Sequence, residues 1–295
     1  MVLRNFAQSI VMKYILIAAL GMFLIASDMP AYKILAANGK SASFSDVVKA
    51  AKDADVVLFG ELHNNPIAHW LQLELTKALY EKKKDKLVLA AEMFEADNQL
   101  LIDEYLSEAV SERSFEREAR LWPNYRTDYK PLMVFAKENG LRFIASNIPR
   151  RYASKVAGEG IASLNTLSAS AKAYIAPLPV EVDSTLPGYH ALLSMGMGPH
   201  GSGENFMSAQ AIKDATMAHF ILKDLDKKET VIHYNGAYHS NNFEGINWYL
   251  KKQNPKLKIV TISCVESSTV GALDEESSNL ANFIISIDED ITKTH

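Results

Sequence analysis

Residues 55–60 read DVVLFG, a short apolar, β-branched run that stops on glycine, and residues 87–91 read LVLAA, apolar throughout. Amphipathic sequence from about Pro66 to Glu81 lies between them, so the order is strand, helix, strand. A strand without polar positions has both faces covered, which is the condition of a parallel sheet carrying helices on each side. This βαβ unit sets the expectation for the rest of the chain.

Downstream, a helical pattern from Asp97 to Asn139 places Leu100, Leu101, Tyr105 and Leu106 on one stripe, breaks near Pro123 and stops at Gly140. Leu141–Ala145 then supplies a third strand. Thr230–Tyr234 and Ile259–Cys264 read as a fourth and fifth, separated by a helix from about Phe243 to Lys252, and Phe283–Ile287 as a sixth. The expected fold is α/β: a mostly parallel β-sheet flanked by helices. About 80 residues separate the third and fourth strands, too many for one crossover. Helical sequence there, interrupted by the Pro- and Gly-rich stretch 177–203, predicts a small helical cap subdomain inserted at about residues 150–228 of a single domain spanning 44–295.

The 295 residues are 48% hydrophobic, enough for a sizeable core, and 31 Lys and Arg against 35 Asp and Glu leave no global field that would recruit nucleic acid. Arg4 and Lys13 precede a charge-free run from Tyr14 to Ala26, the length of a signal-peptide apolar region and short for a bilayer span. Residues 1–37 therefore read as a signal peptide, with Ala36 and Ala37 as its cleavage point, or as an uncleaved membrane anchor. The expected location is outside the cytoplasm, periplasmic or held to the membrane through this segment only. Cys264 is the only cysteine, which excludes an internal disulfide and a multi-cysteine zinc site, and its apolar run 259–265 reads as core.

In a parallel sheet the carboxyl ends of all strands share one edge, so residues just after each strand become neighbours. Glu61 and His63 follow the first strand, Glu92 and Glu95 the second, Asn147 the third, Tyr238 and His239 the fourth. Carboxylates and imidazoles thus gather on one rim, where burial is costly unless they are hydrogen-bonded or paired. Glu61, His63 and His239 form a mixed oxygen and nitrogen set suited to a divalent metal such as zinc, manganese or iron, with Glu92 placed to hold a water as general base. His233, inside an apolar strand, and His219, on an apolar helix face, read as core or interface residues.

A second constellation is Trp122-Pro123-Asn124-Tyr125-Arg126-Thr127-Asp128-Tyr129-Lys130-Pro131. It suits either a flat anionic ligand such as haem, whose ferric iron a phenolate can bind, or ordinary aromatic packing at a helix junction. The stretch 189–205, YHALLSMGMGPHGSGEN, reads as a lid, a pocket wall or a solvent loop. Gln210, Asp214 and Met217 then share one helix face, with Asp214 directed towards the cleft.

Taken together, Gly60-Glu61-Leu62-His63, Glu92-Met93-Phe94 with Gln99, the Trp122–Pro131 segment, Asn147-Ile148-Pro149-Arg150, the 210–218 helix and Gly236-Ala237-Tyr238-His239 resemble the ChaN family of haem-uptake proteins. That family sits within a superfamily that also holds Tiki-type metalloproteases and erythromycin-esterase-like enzymes. The resemblance implies a haem-binding protein of iron acquisition, a homodimer with haem between its subunits, tyrosine ligation of the iron, and an outer-membrane haem receptor as a further partner. Carried over by position, Tyr125 or Tyr129 is the iron ligand and Lys130 and His200 hold the propionates. The chain departs from ChaN in lacking the cysteine through which a lipoprotein is anchored. The wider superfamily implies an alternative, a metal-dependent hydrolase in which Glu61, His63, Glu92 and His239 are catalytic.

Overall fold

The computed structural model describes residues 29–195, 202–223, 225–226 and 228–295. In chain order the elements are β1 (Tyr32–Ala36), β2 (Ser41–Ala42), α1 (Phe44–Ala51), β3 (Val56–Glu61), α2 (Pro66–Lys83), β4 (Leu87–Glu95), α3 (Gln99–Leu106), α4 (Glu112–Glu118), α5 (Lys130–Glu138), β5 (Phe143–Asn147), α6 (Arg150–Glu159), α7 (Ala169–Lys172), α8 (Pro187–Met195), α9 (Gly203–Lys223), β6 (Thr230–Gly236), α10 (Ile246–Gln253), β7 (Ile259–Ser267) and β8 (Phe283–Asp288). The eight strands form one sheet in the order β2-β1-β8-β7-β3-β6-β4-β5. From β8 to β5 every pairing is parallel, and only β1 runs antiparallel, to β8 and to β2. The α/β expectation is met, with β3 at the centre between β6 and β7.

The apolar runs form strands because each face has its own cover. Val57, Phe59, Leu89, Ala91 and Ile232 pack towards Leu71, Leu75 and Leu79 of α2 and the helices that follow it. Their neighbours Val56, Leu58, Val88, Ala90 and Val231 pack on the other face against Val156 of α6, Ile212, Ala215 and Ile221 of α9, and Leu250 of α10. A period of two along each strand thus feeds two separate cores. Cys264 lies buried in the first of them, as expected.

The compact unit runs from Tyr32 to His295, ahead of the boundary expected near residue 44. The cause is β1, whose Ile34 and Leu35 are buried and whose backbone pairs with β8 from Tyr32↔Ile287 to Ala36↔Phe283. The expected cleavage point at Ala36 and Ala37 falls at the end of this strand. Between β5 and β6 the described chain is helical, and α9 packs on β5, α6, α8 and α10. The inserted helices therefore cover one face of the sheet as well as capping it. Among the described residues no helix is long and apolar enough to cross a membrane.

Candidate active site at the strand rim

Three strand ends build the site: Glu61 closes β3, Glu92 lies on β4, and Gly236 closes β6 just before His239. The β3 turn is fixed by Asn65, whose side-chain oxygen accepts the amide N–H groups of Ile67 and Ala68 and so caps α2, with Pro66 at its first turn. That cap holds His63 over Gly236. A Cβ at position 236 would lie 2.8 Å from both Cε1 and Nε2 of His63, so the close approach requires glycine.

Glu61 is buried and saturated. Its Oε1 accepts the Tyr129 hydroxyl at 2.7 Å and lies 2.9 Å from His63 Nδ1, while Oε2 accepts Gln72 Nε2 at 2.5 Å. The His63 side chain is 41% exposed and stands edge-on to the Trp122 ring at 4.9 Å. Its Nδ1 proton is directed at Glu61, which fixes the tautomer and leaves Nε2 for the cleft. Burial lowers the His63 pKa, but the Glu61 hydrogen bond and the charges of Glu92 and Glu61 outweigh it, and the net shift is upward.

The second half of the site is an imidazole held between two carboxylates. His239 Nε2 lies 3.2 Å from Glu92 Oε1, and Nδ1 is hydrogen-bonded to Asp214 Oδ1. Glu92 Oε2 accepts the Gly236 N–H at 2.8 Å, and Asp214 Oδ2 accepts the Tyr189 hydroxyl at 2.6 Å. Burial opposes charge on His239, yet Glu92 and Asp214 push its pKa up to about 10. Burial likewise opposes charge on Glu92, and His239 and His63 together hold that carboxyl well below its usual range. At neutral pH the pair is an imidazolium and a carboxylate, with no base available on His239. Burial keeps the Asp214 pKa raised despite His239 beside it.

His63, Gln210, Gly236, Tyr238 and His239 open onto a cleft of about 600 Å³, which Lys293 and His295 line from the C-terminal tail. That tail is anchored where Thr294 N–H donates to Asn64 O at 2.9 Å and Thr294 Oγ1 donates to buried Asp128 Oδ2 at 2.7 Å. Sequence reading did not find Gln72, Lys293 or His295, and met Tyr189 only as the first residue of the 189–205 stretch. Of these only Gln72, three residues after His69 on α2, carries a local signal. Gln210 and Asp214 were visible as an i, i+4 pair.

Three expectations change. The metal set Glu61, His63 and His239 is not assembled: three donors already occupy the Glu61 oxygens and each His239 nitrogen faces a carboxylate. Among the described residues no group of three or more His, Cys, Asp or Glu side chains is arranged to hold a metal ion. Tyr125 and Tyr129, the expected iron ligands, are 3% and 2% exposed in a π-helical turn, Tyr125–Tyr129. Tyr125 packs against Phe94 and Phe115 with its hydroxyl unpartnered, and Tyr129 is committed to Glu61. Burial pushes both phenols upward, reinforced by Tyr105 and then Glu116 and Glu112 for Tyr125 and by Glu61 for Tyr129, away from the phenolate that iron needs. Lys130, expected to hold a propionate, instead bonds Glu112 at 2.6 Å and Glu116 at 3.0 Å. These residues do not fit haem as they stand. His200 lies outside the described residues. His233 is buried and neutral, lowered to about 4 by burial, and bonds Ser146 and Asn235 within the core as expected.

A family model described as haem-binding uptake, Tiki superfamily, ChaN matches residues 47–250. The chain belongs to this ChaN family. The matched span runs from α1 to α10 and so contains Glu61, His63, Glu92, Asp214 and His239. A curated relative, the chloroplastic protein RETICULATA-RELATED 5 of Arabidopsis thaliana, is 27% identical over 184 residues, covering 58% of this chain and 25% of that protein. The chain thus spans about a quarter of that relative's length. Among solved structures, a ChaN of Campylobacter jejuni with cofacial haem superposes with a TM-score of 0.65 at 19% identity, covering 86% of this chain and 96% of that one. At that identity the likeness shows the fold. An erythromycin esterase in its open conformation gives a TM-score of 0.46 at 11% identity, over 90% of this chain and 100% of that one.

Proposed function

We propose that this ChaN-family chain is an extracytoplasmic haem-binding protein of haem or iron uptake that works as a homodimer. The family match over residues 47–250 carries this reading, and the charge-free run 14–26 supports export. Because Tyr125 and Tyr129 are buried, the iron ligand belongs on an accessible side chain instead. Hemin titration of the purified full chain, followed by absorption and sedimentation, tests it. A saturable Soret change with a fixed hemin-to-chain ratio in a dimer is expected; a featureless, unsaturating response would end the reading.

The rim favours a second reading, a hydrolase that does not need a metal. His63, oriented by Glu61 and open to the cleft at Nε2, is built to take a proton from water as the water oxygen attacks an electrophilic centre. His239, whose two ring N–H groups are committed to Glu92 and Asp214, fixes the Glu92 carboxylate whose charge raises the His63 pKa. Hydrolysis of ester or amide probes in the presence of EDTA, abolished by His63→Ala, is the expected result. Activity that survives His63→Ala, or that chelator removes, would contradict it.

A further inference from the structure

Asp214, 1% exposed on α9, joins two parts of the molecule with one carboxylate. Its Oδ1 holds His239 Nδ1, and its Oδ2 holds the hydroxyl of Tyr189 on α8 at 2.6 Å. The same turn of α8 is gripped by the loop after β6. The Tyr238 hydroxyl donates to Gly188 O, and Glu244 Oε2 accepts Gly188 N–H at 2.8 Å. A Cβ at position 188 would meet that Glu244 oxygen at 2.8 Å, so any larger residue there would displace the Glu244 carboxylate from the Gly188 N–H. Pro187-Gly188-Tyr189 is therefore a latch whose three tethers end on His239's neighbour Tyr238, on its hydrogen-bond partner Asp214, and on Glu244.

The two bonds of Asp214 depend on each other. A buried carboxylate oxygen that loses its donor keeps the cost of desolvation, so releasing Tyr189 leaves Asp214 short of a partner and weakens its hold on His239. Removing the imidazolium has the converse effect, leaving Asp214 without the cation that offsets its burial.

We infer that Asp214 is a positioning residue shared by the rim and the cap, orienting His239 while anchoring α8, so that the seating of the cap helix and the order of the His239–Glu92 pair are one coupled equilibrium. Anything that pries α8 from the rim then disorders His239, and anything that neutralises His239 loosens α8, with the same coupling free energy in both directions. The inference concerns the ligand-free chain and stands whether the cleft serves haem or a hydrolysable substrate.

The test uses hemin-free full-length protein with two readouts, amide hydrogen exchange over residues 188–194 and the nitrogen-15 resonances of the His239 ring. Asp214→Asn should speed α8 exchange about tenfold, the loss of one buried hydrogen bond, and remove the doubly protonated signature of His239 at neutral pH. Tyr189→Phe should speed α8 exchange similarly, and adding it to Asp214→Asn should bring no further acceleration. His239→Gln, which leaves every α8 tether in place, should also speed α8 exchange severalfold, and it serves as the decisive variant if Asp214→Asn does not fold. Native-like α8 exchange in His239→Gln, or fully additive effects of Tyr189→Phe and Asp214→Asn, would overturn the inference. Failure of hemin titration or of hydrolysis would leave these readouts unchanged.

Discussion

At the rim, Glu61, Glu92, Asp214 and His239 are buried yet paired with one another or with Tyr129, Gln72, Gly236 and Tyr189. In the Trp122–Pro131 segment Tyr125 is just as buried, but its hydroxyl meets no partner. The first arrangement spends burial on charge and orders it; the second uses an aromatic residue as filler. Both stretches are rich in groups able to bind ligands, so residue type does not separate them. What separates them is whether buried polar atoms are organised around an open cleft.

Substitutions can break this contrast, and the largest effect belongs at the rim. His239→Ala leaves Glu92 and Asp214 as facing buried carboxylates and should cost about 3–5 kcal/mol in denaturant unfolding. A cost near that of a surface change would mean the pair is not charged.

The same pair predicts a pH profile. His239 has a folded pKa of about 10 against an ordinary 6.5, so its contribution is complete below about 6.5 and is lost as pH rises through 10. Glu92, depressed from an ordinary 4.5, contributes above that value and loses its contribution as pH falls below it. Stability should therefore be greatest between about pH 4.5 and 6.5 and decline on both sides. His239→Gln should flatten the alkaline limb, and an alkaline limb unchanged in that variant would place its origin elsewhere.

Smaller effects belong to the tyrosines. Tyr129→Phe removes a donor from buried Glu61 and should cost about 1–3 kcal/mol while shifting the His63 titration. Tyr125→Phe removes a hydroxyl without a partner, so stability should stay within about 0.5 kcal/mol and hemin binding should persist. Loss of hemin binding in Tyr125→Phe would return this residue to the role of iron ligand.

The contrast also explains what the sequence made legible. DVVLFG and LVLAA carry their own evidence of two-sided burial, and once the strands are parallel the topology brings Glu61, Glu92 and His239 together without knowledge of any loop. The antiparallel β1 was not legible because Tyr32–Ala36 follows closely on the apolar run 14–26 and was read together with it. Burial of Tyr125 and Tyr129 was not legible either, since it depends on where Phe94 of β4 and Phe115 of α4 arrive in space. Pairing of Lys130 with Glu112 and Glu116 likewise depends on how α4 lies against the start of α5. Asp214 stood on the correct helix face, but its double bond to Tyr189 and His239 joins residues 25 apart on either side.

One rim holds an imidazole charged at neutral pH, His239, beside a more exposed one, His63. Nitrogen-15 NMR of the histidine rings across pH 5 to 11 tests it directly. The account predicts that His63 changes protonation somewhat above its ordinary value of 6.5 while His239 keeps both ring protons until about pH 10. A His239 ring that is already singly protonated at neutral pH would contradict it.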